Sequence, residues 1–139
     1  MALGILISCG LGSLGVEWLA SWKTCVKVGL AGMFLFTGVA HFSKTRQDLV
    51  RMVPPFFPNP EAMVTMTGLA EFAGAAGLLV PSTSKFAAYG FIMLLILLLP
   101  ANIYGARQGL TIGGRAVTGL RIRVPLQIAW ITLLWWVVN

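Results

Sequence analysis

The order of apolar and polar positions divides most of the chain into four long apolar stretches separated by short polar segments. They cover about residues 24–42, 61–80, 86–104 and 123–138. Each is close to the roughly 20 residues that an α-helix needs to cross the hydrocarbon core of a bilayer. Because the four stretches pair as two hairpins, the pattern predicts an all-α integral membrane protein that forms an antiparallel four-helix bundle.

The N-terminal segment, residues 1–22, differs from these four stretches. Residues 2–16 are apolar but short and rich in glycine, and no Lys or Arg precedes them. Both a secretory signal peptide and a full span therefore fit poorly. We expect a short interfacial or half-inserted helix here, although the sequence leaves open whether the segment spans, lies on the membrane or is cleaved. The four-helix domain is predicted over residues 23–139.

Composition agrees with a membrane protein. The chain has 139 residues, of which 58% are hydrophobic and 10% charged, and its mean hydropathy is +0.86. This leaves too few polar residues for the surface of a soluble catalytic domain. The net charge of +6 comes from basic residues between the apolar stretches, where they orient a membrane protein. We therefore expect the lipid bilayer, and not nucleic acid, as the partner.

The basic residues also predict the orientation of the bundle. They concentrate in and next to two loops, 43–60 and 105–121, while the opposite side holds only Lys23, Lys27 and Lys85. The residues on the first side are Lys44, Arg46, Arg51, Arg107, Arg115, Arg121 and Arg123. By the positive-inside rule both loops face the cytoplasm, and we expect a bacterial inner membrane.

Prolines set the expected form of the loop 43–60. Its segment VPPFFPNP lacks amide donors at the prolines, so we expect a structured, non-helical loop that caps one end of the bundle. Phe56 and Phe57 should lie against lipid head groups or plug the mouth of the bundle. Asn59 is suited to cap the second long helix, with Pro60 at its first position.

Three other local features follow the same logic. Ser82 or Ser84 is a candidate cap for the third long helix. Pro100 should kink that helix or loosen its last turn and free a backbone carbonyl, which Asn102 could help to satisfy. Pro125 suits the first turn of the last helix. The glycine-rich loop 105–121 has no predicted element.

The main candidate for function is Glu71, the only carboxylate in the middle of an apolar stretch. An acidic residue at the centre of a membrane helix costs about 2.5–3.5 kcal/mol on insertion scales. We expect it to be neutral or paired with Arg121 or Arg123, and to face the bundle interior. Small residues surround it and permit close helix packing: Gly68, Ala70, Ala73, Gly74 and Gly77.

Each predicted span carries one notable polar group, and together with Arg123 these form a candidate buried cluster: His41, Glu71, Asn102, Arg123 and Gln127. Glu71 and His41 are the candidate catalytic pair, because a Glu and a His in a low-dielectric cavity can transfer protons or hold a quinone head group. Glu71 is predicted to lie roughly 15 Å from the cytoplasmic helix ends, deeper than the others, so a tilt or a dipping proline loop must close the gap.

Each member of the cluster also has a purely structural interpretation. A neutral Glu71 can donate to a backbone carbonyl, and His41 can be an interfacial helix cap. Asn102 can repair the backbone near Pro100, and Gln127 can pack among the C-terminal tryptophans. The sequence leaves both interpretations open.

Motifs for cofactors are missing from the sequence. Cys9 and Cys25 have neither CxxC spacing nor a Cys/His metal pattern, and no nucleophile triad, nucleotide-binding loop or haem-binding motif occurs. We expect no metal and no evident cofactor; a quinone or haem contact has no motif to support it. A disulfide between Cys9 and Cys25 stays open.

Five separated motifs resemble those of the DoxX-like family of small membrane proteins. They are GVAHF (38–42), VPPFFP (53–58), GLAEFAGAAGLLVP (68–81), PANIYGA (100–106) and RVPLQ (123–127). The resemblance implies a four-helix membrane bundle in the DoxX/MauE superfamily, which is associated with redox systems such as quinone-linked sulfur oxidation and periplasmic disulfide maturation. The five cluster residues match the family pattern.

The leading functional expectation is an accessory or structural subunit, without enzymatic activity of its own, that packs with a membrane redox or respiratory partner or with copies of itself. The first alternative is a small membrane enzyme or quinone-binding protein built on the cluster around Glu71. The second alternative is proton or small-solute transport, for which an intramembrane acid is a common marker.

Overall fold

The computed structural model describes residues 21–139 and is mostly helical. This part of the chain has five helices and one small hairpin. The helices are α1 (Trp22–Ala40), α2 (Arg46–Met52), α3 (Pro60–Leu79), α4 (Ser84–Arg107) and α5 (Leu120–Val138), and the strands are β1 (Thr111–Ile112) and β2 (Arg115–Ala116). Four helices are long and apolar enough to cross a membrane, which confirms the all-α prediction. The predicted N-terminal interfacial helix lies outside the described residues.

The four long helices form an antiparallel bundle, in which each packs against the next along the chain and α5 closes against α1. Lys27, near the start of α1, shares a surface pocket with Leu79 at the end of α3. Farther along α1, Gly38 lies against the Phe72 ring of α3. The start of α1 and the end of α3 therefore share one end of the bundle.

That end is packed with apolar side chains, and we call it the closed half. Phe34 of α1 stacks on Phe91 of α4 with ring centroids 3.7 Å apart. The other buried members of the closed half are Val26, Leu30, Ala31, Ala75, Leu78, Ala88, Leu134 and Val137. Leu30, Leu78 and Leu134 have no exposed surface, so this half of the bundle has a continuous core.

The opposite end, which we call the cavity end, is capped by α2 and the β-hairpin. α2 packs on α3, α4 and β1, and its Met52 is buried against Gly105, where an added Cβ would lie 2.8 Å from the Met52 Cε. Asp48 accepts a hydrogen bond of 2.9 Å from the Gly113 amide. The basic loops 43–60 and 105–121 therefore lie at the same end, as the charge pattern required.

The helix-start prediction at Asn59 is confirmed, because its side chain accepts a hydrogen bond from the Ala62 amide and Pro60 is the first helical residue. The prediction of Ser82 or Ser84 as a cap is wrong. Thr83 precedes α4 without a capping bond, and its hydroxyl donates instead to the Gly77 carbonyl at 2.9 Å.

Two loop predictions also need correction. The loop 43–60 contains a regular helix, α2, which ends at Met52, before the prolines that were expected to forbid one. The loop 105–121 contains the β-hairpin, whose turn residues Gly113 and Gly114 both have positive φ, +57° and +78°. This is the backbone of a type I′ turn, which glycine adopts without strain.

The last two long helices extend beyond their predicted limits. α4 continues through Pro100 to Arg107 and ends in a Schellman motif, in which the Leu110 amide donates to the Gly105 carbonyl and Gly109 has φ +62°. α5 begins at Leu120. Pro125 is therefore the sixth residue of α5, and its predicted place in the first turn of a helix starting near residue 123 is wrong.

Candidate functional site

A cavity of about 200 Å³ lies at the cavity end, beneath α2 and the proline loop. Four of the five predicted cluster residues line it: His41 at the end of α1, Glu71 of α3, Asn102 of α4 and Arg123 of α5. Apart from Thr67, the rest of the wall is apolar and includes Met52, Phe57, Met63 and Leu98. The bundle thus brings polar groups from all four long helices, or their ends, to one small volume.

The proline loop forms part of the cavity wall. Pro54 is buried, and both Pro54 and Phe57 line the cavity. Phe57 therefore lies against the bundle, and its role as a plug of the bundle mouth stays a prediction. Phe56 is 72% exposed and faces outward.

His41 is held by the helix that it terminates. Its Nδ1 lies 3.0 Å from the Thr37 carbonyl oxygen, and because a carbonyl only accepts, Nδ1 carries the proton in this bond. Burial lowers the pKa of His41, the Thr37 bond raises it, and the nearby Arg46 cation lowers it further. The neutral ring is therefore favoured, and its Nε2 is an acceptor.

Glu71 is the least satisfied polar group of the cavity. The residue is 5% exposed, and its Oε2 has no hydrogen-bond partner among residues 21–139. The His41 Nδ1 lies 3.7 Å from Oε2, beyond hydrogen-bond distance, while the Thr37 hydroxyl lies beside the carboxyl group. A buried oxygen without a partner is costly, and a donor on a bound molecule would remove that cost.

The expected ion pair between Glu71 and Arg121 or Arg123 is not formed, so that expectation is wrong. Arg121 is exposed. Arg123 donates from Nη1 to the Asn102 Oδ1 and is half-buried, and within the described part of the chain it has no carboxylate partner. The guanidinium therefore bonds an amide of α4 in place of the expected carboxylate of α3.

Asn102 and Gln127 have hydrogen-bond partners that differ from those expected, which were the backbone near Pro100 for Asn102 and the C-terminal tryptophans for Gln127. Asn102 bonds Arg123 rather than the backbone. Gln127 is buried but does not line the cavity, and its Nε2 donates to the Leu95 carbonyl of α4 at 2.6 Å. Leu95 precedes Ile96, whose carbonyl would have bonded the amide that Pro100 lacks. Gln127 thus ties α5 to the interrupted turn of α4, a structural role.

Two residues of the site were not predicted. Arg46 donates to the His41 carbonyl at 3.1 Å, to the Glu61 carbonyl at 3.2 Å and to the Thr65 hydroxyl at 2.9 Å, so it fixes the end of α1 against the first turn of α3. Thr37 could have been found from its position four residues before His41, on the same helix face. Arg46 has no such signal, since it is one basic residue among several in its loop.

Residues 21–139 contain no group of three or more His, Cys, Asp or Glu side chains that could hold a metal ion. Cys25 is buried in α1 and is disulfide-bonded. Cys9 lies outside the described residues.

Comparison with known proteins places the chain in a family. A family described as a domain of unknown function (DUF8561) matches residues 30–138, and the chain belongs to this family. No curated protein and no solved structure matches the chain. The family match covers α2–α5, most of α1, and the whole cavity.

Proposed function

We propose, for a family without a described activity, that this chain is an integral membrane protein that binds the polar head group of a quinone-type amphiphile at the cavity end. The observation that supports this most is the cavity itself. Five polar side chains from the four long helices or their ends line it, and one of them, Glu71, keeps a buried carboxyl oxygen without a partner. A bundle built only for packing would have filled this volume with apolar side chains, as the closed half does.

The cavity suits a ring that carries oxygens on two sides. Glu71 can accept a hydrogen bond from a quinol hydroxyl. On the α5 side, Arg123 has further N–H groups beyond the one bound to Asn102, and these can donate to a quinone oxygen. The apolar side chains of Met63, Phe57 and Leu98 can contact the faces of the ring. Pockets of this kind, mostly apolar with a few placed polar groups, are typical of small-molecule sites.

The surface of the bundle supports a location in a membrane. Large apolar side chains point outward from every long helix, among them Phe36 at 81%, Phe86 at 80% and Ile122 at 65% exposed. Lipid accommodates such a surface, whereas water would leave extended apolar patches unpaired. We place the protein in a bacterial inner membrane.

The orientation follows from two features at opposite ends of the bundle. The basic loops and α2 lie at the cavity end, which the positive-inside rule assigns to the cytoplasm. The disulfide-bonded Cys25 lies near the start of α1, at the closed half, and disulfides persist on the oxidising side of a membrane. Both features support the proposal that the cavity lies on the cytoplasmic side.

A second candidate function is an accessory subunit of a membrane redox or respiratory system. It is favoured by open glycine positions on the outer surface: an added Cβ at Gly32 or Gly90 would have no neighbour within 4 Å. Such positions allow a partner helix, or a second copy, to approach closely. The resemblance of the chain to the DoxX-like proteins also supports an association with a redox system. Native purification in mild detergent tests it, and recovery of a monomer alone would count against it.

Transport across the bundle has less support. The closed half is filled by apolar side chains between the cavity and the far end, and the Phe34–Phe91 stack lies in its centre. A proton or polar solute leaving the cavity toward the start of α1 would have to cross this apolar core before it reached the buried Ser84 in the first turn of α4. The geometry therefore favours binding from one side.

Equilibrium binding of decyl-benzoquinol to the protein in lipid nanodiscs tests the main proposal. Glu71→Leu removes both carboxyl oxygens at similar size, and loss of one good hydrogen bond should weaken binding by about tenfold or more. Glu61→Leu, at an exposed acid of the same helix, is the matched control and should bind like the wild type. Equal affinity in all three proteins, or no saturable binding by the wild type, would contradict the proposal.

A further inference from the structure

A second hollow lies on the outer surface between α3 and α4, with a volume of about 480 Å³. Its lining is almost entirely apolar and small. Gly74 lies so close to Phe91 that an added Cβ would be 2.7 Å from the ring, so the Phe91 ring forms part of the floor. At the rim, Gly90 has no neighbour within 4 Å of an added Cβ, and the hollow is open to the outside there.

Some of the lining positions of the two hollows fall on one stripe on each helix. On α3 the stripe advances in alternating steps of four and three residues, through Met63, Thr67, Ala70, Gly74 and Gly77. On α4 it runs the opposite way with the same steps, through Ala101, Leu97, Leu94, Gly90 and Ala87. Positions with this spacing lie on one helix face. The cavity and the outer hollow are therefore successive parts of one seam between antiparallel helices.

The seam connects the cavity to the lipid-facing surface. Leu97 lines the cavity and is nevertheless 64% exposed, so the cavity wall reaches the outer surface at this point. From there the small residues of the stripe continue toward the α3–α4 turn. Between Thr67 and Gly77 the seam is about 15 Å long, at 1.5 Å per residue.

We propose that this seam is a binding site for a hydrocarbon tail, and that the natural ligand is an amphiphile with one long chain whose head group occupies the cavity. The proposal rests on the proposed function and adds the tail and its path. Glu71, which is buried and has an unpartnered oxygen, supplies the head-group end. The hollow is assigned to the tail because the hollow continues from the cavity. A molecule whose head group reaches Glu71 must extend its tail out of the cavity, and the cavity wall is open to the surface at Leu97.

Photolabelling in nanodiscs tests the path of the tail. Two alkyl hydroquinones are compared, one with a diazirine next to the ring and the other with a diazirine near the tail end. The near-ring probe should label peptides around Met63 and Leu97, and the tail-end probe should label those around Gly77 and Ala87. If the tail-end probe labels exposed side chains all around the bundle, such as Phe36 on α1, the tail site is overturned.

Gly90→Leu is the variant that blocks the hollow, because a side chain at this open position fills it without displacing the bundle. Gly32→Leu, an equally open helical glycine on α1, is the matched control. Gly90→Leu should lose the tail-end labelling of Gly77 and Ala87 and keep the near-ring labelling, and Gly32→Leu should keep both. Unchanged tail-end labelling in Gly90→Leu overturns the tail site alone, whereas a wild type without saturable near-ring labelling overturns the proposed function as well.

Discussion

The closed half and the cavity end of this bundle pack the same four helices in different ways. In the closed half, Leu30, Leu78 and Leu134 are completely buried and Phe34 stacks on Phe91. At the cavity end the same four helices leave an open volume, which polar side chains line. Since one set of helices does both, the cavity is not a consequence of short or poorly packing helices. The cavity end is therefore the part of the bundle to which the proposed binding is assigned.

The largest expected effect tests the closed half. Leu78→Ala removes a side chain with no exposed surface and leaves a void among α1 and α4 residues, which should lower the free energy of unfolding by about 2–5 kcal/mol. Leu69→Ala, on the same helix but 56% exposed, should have a much smaller effect. Thermal unfolding in detergent measures both, and equal losses would mean that the closed half is not the stabilising core.

A smaller loss of stability is expected at Gly68, where α3 packs against the end of α1. An added Cβ at Gly68 would lie 2.7 Å from both the His41 Cβ and the Phe42 Cε2, so Gly68→Val must push the end of α1 away from α3. Relative to Gly32→Val, which meets nothing, it should cost about 1–3 kcal/mol of stability. It should also weaken quinol binding, because His41 lines the cavity. Binding that matches the Gly32→Val control would separate His41 from the site.

The third prediction concerns pH. Because burial lowers the pKa of His41 in the folded protein, the unfolded chain binds the proton more readily. The folded state is then fully favoured above the unfolded value of about 6.5, and stability falls as the pH drops below it. The melting temperature of the wild type should fall between pH 7 and pH 5 by more than that of His41→Gln. The same fall in both proteins would assign the titration to another group.

The sequence predicted the long helices well because each has a continuous apolar run of nearly membrane thickness. It predicted the cluster residues because each of those runs contains one notable polar group or ends beside one. Four of these residues, His41, Glu71, Asn102 and Arg123, do line one cavity. Their pairing was out of reach, because whether Arg123 bonds Glu71 or Asn102 depends on the relative positions of three helices. The start of α5 at Leu120 was also missed, because basic residues alternate with apolar ones there.

Two other features were missed for different reasons. Two successive glycines, Gly113 and Gly114, between two short stretches of mixed polar and apolar residues are a known signal for a type I′ hairpin. This pattern could have predicted β1 and β2. Helix α2 could not be predicted in the same way, because its seven residues carry no long period. Its position depends on tertiary contacts, such as Met52 against Gly105, that a single sequence does not display.

The most direct test of the central claim is an infrared difference spectrum of the Glu71 carboxyl on binding decyl-benzoquinol. The variant Glu71→Gln identifies the Glu71 band, because that band is missing from the spectrum of the variant. The substitution should change stability by no more than about 1 kcal/mol, because Glu71 forms no ion pair with Arg121 or Arg123. In the wild type and in Glu61→Gln that band should shift when quinol binds, since Oε2 gains a hydrogen-bond donor. Binding without any shift of this band would contradict the account, and so would a large loss of stability in Glu71→Gln.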